Sequence, residues 1–374
     1  MTRKPHGDDI LLDRLRLQLV PGVGPRILQL LREHVGSPTA ILRADRQRLL
    51  EVPRIGPRLA DAIVAAVGRE SARKILQRCH DSGIGLVDRG GDAFPPLLEE
   101  IPDPPELLYV RGDLADVDQL AVAIVGSRRC TTYGRRVADR LAGGLARAGL
   151  TIVSGLARGI DGVAHRAALA AGGRTIAVLA TGVNHVYPPE HVDLAEQVTR
   201  YGAVVSEARL DQTPVAGLFP QRNRIISGLA LGVVVVEATR RSGALHTARH
   251  AIEQGREVFA VPGPIDSPAS QGCHDLLKDG ARLVTGLDDI LEELGPLIRP
   301  VRLDDTATIH VPRELSLNDR ERQVLGIVGP DPQHLDELLR RSPLEAAATL
   351  ATLTVLEMKR LVRRLPGSYV VRGS

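Results

Sequence analysis

Between about residues 84 and 298, short apolar runs alternate with segments that have helical periodicity. The apolar runs are 121–125, 151–154, 175–180, 203–206, 233–237, 258–261 and 282–285. The helical segments include 134–148, 160–171, 190–199, 223–231 and 245–254. Strands that are apolar throughout are buried on both faces, so this pattern predicts a sheet covered by helices. The predicted fold class is α/β: an extended Rossmann-like, doubly wound, mostly parallel sheet.

The first 80 residues contain an internal repeat. The segment LVPGVGPRILQLLREH (19–34) is echoed by EVPRIGPRLADAIVAA (51–66), so that Gly24 and Gly56 occupy equivalent positions. Each unit resembles half of a tandem helix-hairpin-helix, or SAM-like, module, in which turn N–H groups can hold a DNA phosphate. In the second unit Arg54 replaces a turn glycine, and we expect backbone strain there. A small helical domain that contacts only protein is the alternative.

The end of the chain has the order of a winged-helix domain. Residues 299–314 lack clear periodicity and are interpreted as a linker. Three helical stretches follow at 319–328, 332–341 and 343–365, and PGSYVVRG then fits a short hairpin. A protein-interaction module is an equally open interpretation of this segment. The predicted divisions of the chain are 1–82 (SAM-like), 83–298 (Rossmann-like), 299–314 (linker) and 315–374 (winged-helix-like).

Composition adds weaker constraints. Cys79, Cys130 and Cys273 are far apart and have no CxxC spacing, which fits a reduced, cytoplasmic protein better than a disulfide or zinc framework. No apolar run approaches membrane-spanning length, and the first residues lack the apolar core of a signal peptide. We therefore expect no membrane partner. The net charge of +3 is too small to indicate a class of ligand.

Four polar loops lie at predicted strand ends or helix starts. They are GSRR (126–129), SGLARGID (154–161), FPQRNRIISG (219–228) and TRRSGALHTA (239–248). Ligands of open parallel sheets bind outside the carboxyl ends of the strands. Small residues let a backbone approach a phosphate closely, and arginine supplies charge and a bidentate fork. The four loops together predict a phosphate-binding crevice.

A nucleotide cofactor fits this crevice poorly. The dinucleotide fingerprint needs three spaced glycines and an acidic residue about twenty positions later. Here the first turn has a single glycine, Gly126, before Ser127 and Arg128, and the next strand ends in Ser154-Gly155. The chain also lacks a P-loop, so we expect neither NAD nor ATP and no other cofactor.

Catalytic and metal-binding arrangements are weak. Asp161 and His165 lie four residues apart on one predicted helix face, as an acid–base pair would. Capping of the helix start by Asp161 is the favoured interpretation. His246 and His250 have the same spacing, but the glutamate of a zincin is missing and two ligands are too few. We therefore expect no catalytic residue and no metal.

Taken together, the loops resemble those of the DprA family, the DNA-processing proteins of natural transformation. IVGSRRCTTYG, IVSGLARGIDGVAHRAAL, TIAVLATGVNHVYPPEH, FPQRNRIISGL and VVVVEATRRSGALHTARHAIEQGREVFAVPG follow the order seen in that family, over about residues 90–290. The resemblance implies a non-enzymatic homodimer that binds and protects single-stranded DNA and promotes loading of the RecA recombinase. It also suggests single-strand-binding protein as a further partner.

The resemblance also implies a DNA site. Carried over residue by residue, it comprises Gly126, Ser127, Arg128, Ser154, Gly155, Arg158, Phe219, Gln221, Arg222, Asn223, Arg224, Ser242 and Gly243. Gln221 stands where relatives often have Lys or Ala, and His246 stands where they usually have an apolar residue. With only three Phe, five Tyr and no Trp, few bases can stack on aromatic rings. We expect affinity to depend mainly on phosphate contacts and to fall steeply with salt.

Two other functional classes compete with DNA binding. The first is a nucleotide phosphoribohydrolase of the lysine-decarboxylase-like group, whose Rossmann core is related. That group has a P-G-G-x-G-T loop and an associated catalytic glutamate, whereas here Ser242-Gly243-Ala244 replaces the loop and Glu237 is the candidate acid. The second is an assembly scaffold whose terminal domains supply the binding surfaces.

Overall fold

The computed structural model describes residues 5–66, 68–295, 301–302, 308–309, 317–329, 331–359 and 361–372. The N-terminal module consists of six helices, α1 (Pro5–Leu19), α2 (Pro25–His34), α3 (Pro38–Arg43), α4 (Arg46–Leu50), α5 (Pro57–Val64) and α6 (Arg69–Asp81). The repeat corresponds to two turns that precede α2 and α5. At equivalent positions Gly22 has a φ of +87° and Arg54 a φ of +67°. The strain expected at Arg54 is therefore present.

A nine-stranded sheet forms the centre of the molecule. Its strands are β1 (Ile84–Asp88), β2 (Leu107–Gly112), β3 (Ala121–Val125), β4 (Thr151–Ser154), β5 (Thr175–Val178), β6 (Gly202–Ser206), β7 (Gly232–Val235), β8 (Glu257–Ala260) and β9 (Arg282–Leu283). The spatial order is β1-β2-β6-β5-β4-β3-β7-β8-β9. β3 to β9 pair in parallel, whereas β1 and β2 are antiparallel additions at one edge that the apolar pattern did not predict. The doubly wound, mostly parallel fold is confirmed.

Helices cover both faces of this sheet. They are α7 (Pro96–Glu99), α8 (Thr132–Arg147), α9 (Ile160–Ala170), α10 (Val192–Arg200), α11 (Leu218–Gly228), α12 (Ala244–Glu253), α13 (Gln271–Lys278) and α14 (Leu287–Leu294). In β3, Ala123 and Val125 belong to the apolar cluster on one face, and Val122 and Ile124 to the cluster on the other. Burial on both faces explains why these strands have continuous rather than alternating apolar sequences.

The strand order reverses at the pair β3 and β7. From β3 the chain moves outward through β4, β5 and β6, and then returns to place β7 on the other side of β3. The loops after β3 and β7 therefore leave the sheet in opposite directions. A crevice between such loops is the usual ligand position in doubly wound sheets.

The C-terminal elements form a separate small cluster. α15 (Asp319–Ile327), α16 (Leu335–Arg341) and α17 (Ala346–Met358) pack with the strands β12 (Gln333–His334), β13 (Val362–Leu365) and β14 (Tyr369–Arg372). The expectation that 343–365 is one helix was wrong, because its last four residues form β13. The predicted linker lies mostly outside the described residues, and within it β10 (Val301–Arg302) pairs with β11 (Thr308–Ile309). The exact domain boundaries stay a prediction.

Polar contacts fix the helical module to the α/β domain. Arg14 of α1 donates hydrogen bonds to Asp88 Oδ2 and to the carbonyl oxygen of Arg89, both at 2.7 Å. Gln18 donates to the carbonyl oxygen of Glu207 at 2.9 Å, and Arg209 donates back to the carbonyl oxygen of Gln18 at 2.8 Å. The two units thus meet through a reciprocal set of hydrogen bonds beside the end of β6.

A buried ion pair joins α11 to the rest of the α/β domain. The Arg224 side chain is only 4% exposed, and its Nε donates to Asp103 Oδ2 at 2.8 Å. Its Nη2 donates to both carboxylate oxygens of Glu207, at 2.8 and 2.9 Å. Arg224 therefore stabilises the packing of three chain segments and is not available to a ligand, so its predicted role as a phosphate contact is corrected.

We predict that Arg224→Ala lowers the free energy of unfolding by about 3 kcal/mol, because removing one partner of a buried pair leaves Glu207 without its compensating charge. Urea denaturation measures this change. Arg249→Ala, on the exposed side of α12, is the matched control and should change stability by less than about 0.5 kcal/mol. Equal stability of the two variants would contradict the structural role of Arg224.

Candidate functional site

The loop after β3 is held tightly against the loop after β7. The Ser127 N–H donates to the carbonyl oxygen of Glu237 at 2.7 Å. A Cβ at Gly126 would lie 2.7 Å from Ile160 Cγ1 and 3.0 Å from that same carbonyl oxygen. Only glycine fits here, which explains the single glycine at the end of the first apolar run.

The carboxylate of Glu237 holds the N-cap residue of α8, Thr131, whose hydroxyl oxygen accepts from the Gly134 N–H at 3.1 Å. The carboxylate accepts hydrogen bonds from the Thr131 N–H at 2.8 Å and from the Thr131 hydroxyl at 2.5 Å. A Cβ at Gly134 would lie 2.3 Å from Glu237 Cδ, so the helix passes directly over the carboxylate. A buried acid at the amino end of a helix satisfies free N–H groups and the helix dipole. The candidate catalytic acid of the hydrolase alternative is thus engaged in a structural contact.

The second loop, 154–161, interlocks with the first. Gly159 has a φ of +74°, and a Cβ there would lie 2.2 Å from the carbonyl oxygen of Ser127. That same oxygen accepts a hydrogen bond from the Ile160 N–H at 3.2 Å. Ser154, by contrast, is fully buried and donates to the carbonyl oxygen of Ile124 at 2.6 Å. Ser154 therefore connects two strand ends, and its predicted position in the pocket lining is corrected.

Below the crevice lies the buried guanidinium of Arg222. Its Nη1 donates to the carbonyl oxygens of Gly155, at 2.8 Å, and of Val178. Burial lowers the pKa of Arg222 to about 10, so the side chain stays protonated at neutral pH. A Cβ at Gly155 would lie 2.7 Å from Arg222 Nη2, so this position also requires glycine. A fixed positive charge therefore lies under the carboxyl ends of β4 and β5.

Asp161 and His165 have structural environments. The Asp161 carboxylate accepts hydrogen bonds from the N–H groups of Gly155 and Ala157 at 3.2 and 3.3 Å, and burial raises its pKa. His165 Nδ1 lies 2.7 Å from Thr175 Oγ1, and burial lowers the pKa of His165 to about 3. The imidazole is consequently neutral and enclosed. Asp161 accepts from N–H groups of the loop before α9, and the glycine at the N-cap of α9 has no side-chain cap hydrogen bond. Asp161 thus has a structural role, but the predicted capping of its own helix was wrong.

The walls of the crevice are cationic and aromatic. The Arg128 guanidinium lies 5.3 Å from the centre of the Phe219 ring, and the Tyr187 ring meets Phe219 edge-on at 5.8 Å. Arg128 is exposed and forms no hydrogen bond or ion pair with another described residue. The recess between these groups and Arg222 encloses about 20 Å³, little more than one water-sized group. It is a shallow contact surface with an unpaired cation at its edge.

Arg158 lies at the same mouth but has a partner. Both its Nε and its Nη2 donate to the Glu190 carboxylate, the latter at 2.9 Å. These hydrogen bonds raise the pKa of Arg158 and hold the pKa of Glu190 below its usual range. A phosphate would compete with Glu190 for this cation. The prediction of the site omitted Glu190, although it lies in the quoted TIAVLATGVNHVYPPEH segment.

The remaining predicted residues have varied positions. Asn223 is buried, accepts from Arg222 Nε at 3.3 Å and donates to the carbonyl oxygen of Gly243 at 3.2 Å. Ser242 Oγ accepts from the Ala244 N–H at 3.3 Å, and Gly243 faces open space at the start of α12. Gln221 is exposed but lines a neighbouring cavity on the side of the helical module. Asn223 and Ser242 therefore hold the loops beside the crevice in place, whereas Gln221 faces the neighbouring cavity.

His246, which stands where relatives usually have an apolar residue, is exposed on α12. Within the described ranges, no group of three or more His, Cys, Asp or Glu side chains is placed to hold a metal ion. The same part of the chain contains no helix that is both long and apolar enough to cross a membrane. Its three cysteines are free thiols.

Comparison with known proteins assigns the family. Residues 85–295, more than half of the chain, match the family described as DNA recombination-mediator protein A. Residues 310–368 match a DprA winged helix domain, and residues 15–69 match a SAM-like helix-hairpin-helix tandem.

Individual relatives agree with this assignment. Protein Smf of Escherichia coli K12 is 43% identical over 286 residues, which make up 76% of this chain and 76% of that protein. The X-ray structure of DprA from Streptococcus pneumoniae aligns with a TM-score of 0.66 and 34% identity, over 78% of this chain and 99% of that one. DprA from Helicobacter pylori, described for its single-stranded DNA binding mode, aligns with a TM-score of 0.52 and 29% identity, over 58% and 97%. Because the family match spans residues 85–295 and the relatives agree with it, this chain belongs to the DprA/Smf family of DNA-processing proteins.

Proposed function

We propose that the crevice binds the backbone of single-stranded DNA. The observation that carries this proposal is the exposed, unpaired Arg128 guanidinium above the Phe219 ring, with the buried charge of Arg222 beneath it. A phosphate placed there contacts the exposed Arg128 guanidinium directly, and a guanidinium binds phosphate more strongly than a neutral donor does. The buried Arg222, whose charge is partly balanced by the neighbouring Asp161 carboxylate, lies beneath that contact. In the proposed site Ser127, Gly155 and Gly243 bring backbone close to the strand, while Asn223 and Ser242 hold the opposite wall.

The aromatic rings favour single strands over duplex. Phe219 and Tyr187 meet edge-on at the rim, where an unstacked base can contact a ring face. Bases in a duplex are already stacked on each other and leave no face for such a ring. The relative from Helicobacter pylori, which aligns with 58% of this chain, is described as binding single-stranded DNA. Family membership and the local chemistry therefore support the same ligand.

We further propose that the protein protects incoming strands and promotes RecA loading during transformation and recombination. Family membership supports this role, together with a homodimeric state, a cytoplasmic location and a functional link to single-strand-binding protein. No catalytic step is included, because both candidate acids have structural partners. Glu237 is buried under α8 and hydrogen-bonded to Thr131. Asp161 is buried and accepts from the N–H groups of Gly155 and Ala157.

Arg128→Ala should weaken binding of oligothymidylate by about 10- to 100-fold, since a charge-assisted contact contributes about 1.5–3 kcal/mol. The dependence of log K on log salt should also become shallower by about 0.7 for each lost phosphate contact. Fluorescence anisotropy at several salt concentrations measures both quantities. Arg136→Ala, on the exposed side of α8, is the matched control. Unchanged affinity of a folded Arg128→Ala protein would place the DNA elsewhere.

The non-enzymatic assignment has a direct assay. Incubation with each of the common nucleoside monophosphates should release no free base above the rate without protein, measured by liquid chromatography. Glu237→Gln keeps the shape of the cap and should behave in the same way. Steady release of base that is lost in Glu237→Gln would instead establish the phosphoribohydrolase.

RecA loading is tested on single-stranded DNA coated with single-strand-binding protein. Adding the wild-type chain should accelerate RecA filament formation, followed by RecA-dependent ATP hydrolysis, and Arg128→Ala should not. Arg136→Ala again serves as the control. Equal rates with and without the wild-type chain would remove RecA loading from the proposal and leave DNA binding in place.

A further inference from the structure

A cavity lies between the helical module and the α/β domain. It has a volume of about 250 Å³. One side is lined by α1, α2, α3 and the loops between them, and the other by the start of β2, the segments after β5 and β6, and α11. An apolar cavity of about 150 Å³ is enough to bind benzene. The volume is therefore sufficient for the ring system of a single nucleobase.

The cavity and the DNA crevice are neighbours. Ala180 and Arg222 line both, so the two recesses share a wall. The first turns of α11 divide them, with Phe219 in the crevice and Leu218 and Gln221 in the cavity. A strand that leaves the crevice over α11 reaches the cavity within a short distance.

The interior of the cavity suits a flat ring with polar edges. Leu17 and Leu28 of the helical module lie on one side, and Leu179 and Ile225 of the α/β domain lie on the other. These apolar walls can enclose both faces of a base.

Two polar atoms beside these walls lack hydrogen-bond partners. Arg14 Nε and Glu106 Oε2 are buried, and they lie 3.7 Å apart, which is too long for a hydrogen bond. Both residues line the cavity, and the Arg14 side chain is 9% exposed. Buried polar atoms without partners are rare and costly. Each nucleobase carries a donor and an acceptor side by side on its pairing edge, so a base can satisfy both atoms without sequence preference.

The mouth of the cavity is open and carries positive charge. Gln221, Arg32 and Arg209 line the cavity and are exposed to solvent. Arg32 is paired with Glu106, at 2.6 Å. Arg209 donates only to main-chain oxygens and forms no ion pair within the described part of the chain. A cation at the rim can receive the phosphate that follows the inserted base.

We propose that this cavity receives a nucleobase of the strand whose backbone lies in the crevice. The proposal rests on the function proposed above and adds the helical module to the DNA site. The bound strand passes from Arg128 over α11 and inserts one base between the two domains.

The test is a thermodynamic cycle between the base and the cavity. The ligands are an oligothymidylate and a fully abasic strand of the same length, and the proteins are wild type and Leu28→Trp, which fills the cavity. Val64→Trp adds the same side chain at an exposed position of the helical module and is the control. Leu28→Phe is a smaller substitution for the case in which Leu28→Trp does not fold.

In wild type, replacing oligothymidylate by the abasic strand should lower the affinity. The factor by which it falls should be at least about fivefold smaller in Leu28→Trp, because the tryptophan already keeps the base out of the cavity. Val64→Trp should show the wild-type loss. An equal loss in all three proteins, while Arg128→Ala still weakens binding, would overturn the cavity proposal and leave the crevice intact. An Arg128→Ala variant with unchanged affinity would instead overturn the proposed function.

A free nucleotide is the other source of the same chemistry. Thymidine monophosphate titrated into the protein should bind far more weakly than the oligonucleotide. Two results together would show a separate nucleotide site: tight binding of thymidine monophosphate that Leu28→Trp abolishes, and an equal loss of affinity for the abasic strand in wild type and Leu28→Trp. They would overturn the proposal that the cavity receives a base of the bound strand.

Discussion

The buried guanidinium of Arg222 is the interaction on which the site depends. It donates to main-chain oxygens at the ends of two adjacent parallel strands, Gly155 and Val178, and its Nε bonds to Asn223. Asn223 in turn donates to the carbonyl oxygen of Gly243. Two adjacent side chains of α11, Arg222 and Asn223, thus connect loops from both sides of the strand-order reversal. The Arg222 guanidinium stays protonated at neutral pH and lies beside the buried Asp161 carboxylate.

The distribution of paired and unpaired arginines separates structure from binding. Arg224 is buried between two carboxylates, and Arg158 is exposed but paired with Glu190. Arg128 has only an aromatic ring beside it. In the proposed site, a phosphate at Arg128 would displace no protein partner, whereas a phosphate at Arg158 would compete with Glu190. In this proposal the unpaired Arg128 gives a chain with a net charge of only +3 a local anion site.

Much of the fold was predictable because its signal is local. Continuous apolar runs such as 121–125 identify strands buried on both faces, and the polar loops after them identify the carboxyl edge. The positions of individual side chains were not predictable in the same way. Arg222 and Arg224 look equivalent in the sequence, yet one lies under the crevice and the other pairs with Asp103 and Glu207, because their Cβ atoms leave the helix in different directions.

Features that need two distant segments were also beyond the sequence. The cap on α8 joins Glu237 to Thr131, and the cavity exists only because the helical module packs beside α11. The edge strands β1 and β2 were missed although β2 begins with four buried apolar residues, Leu107–Val110. The sequence around β1 is mixed in polarity, and β2 directly follows a segment rich in proline and acidic residues. Glycines were more informative: Gly126, Gly155 and Gly159 each permit a close backbone or side-chain approach that any Cβ would block.

A crystal structure of this chain with a bound oligothymidylate measures the strand position most directly. A backbone phosphate within hydrogen-bond distance of the Arg128 guanidinium, on the crevice side of Phe219, is the predicted result. Clear density for the oligonucleotide on another surface, with the Arg128 and Phe219 side chains unchanged and unoccupied, would contradict a DNA site at the reversal point of the sheet.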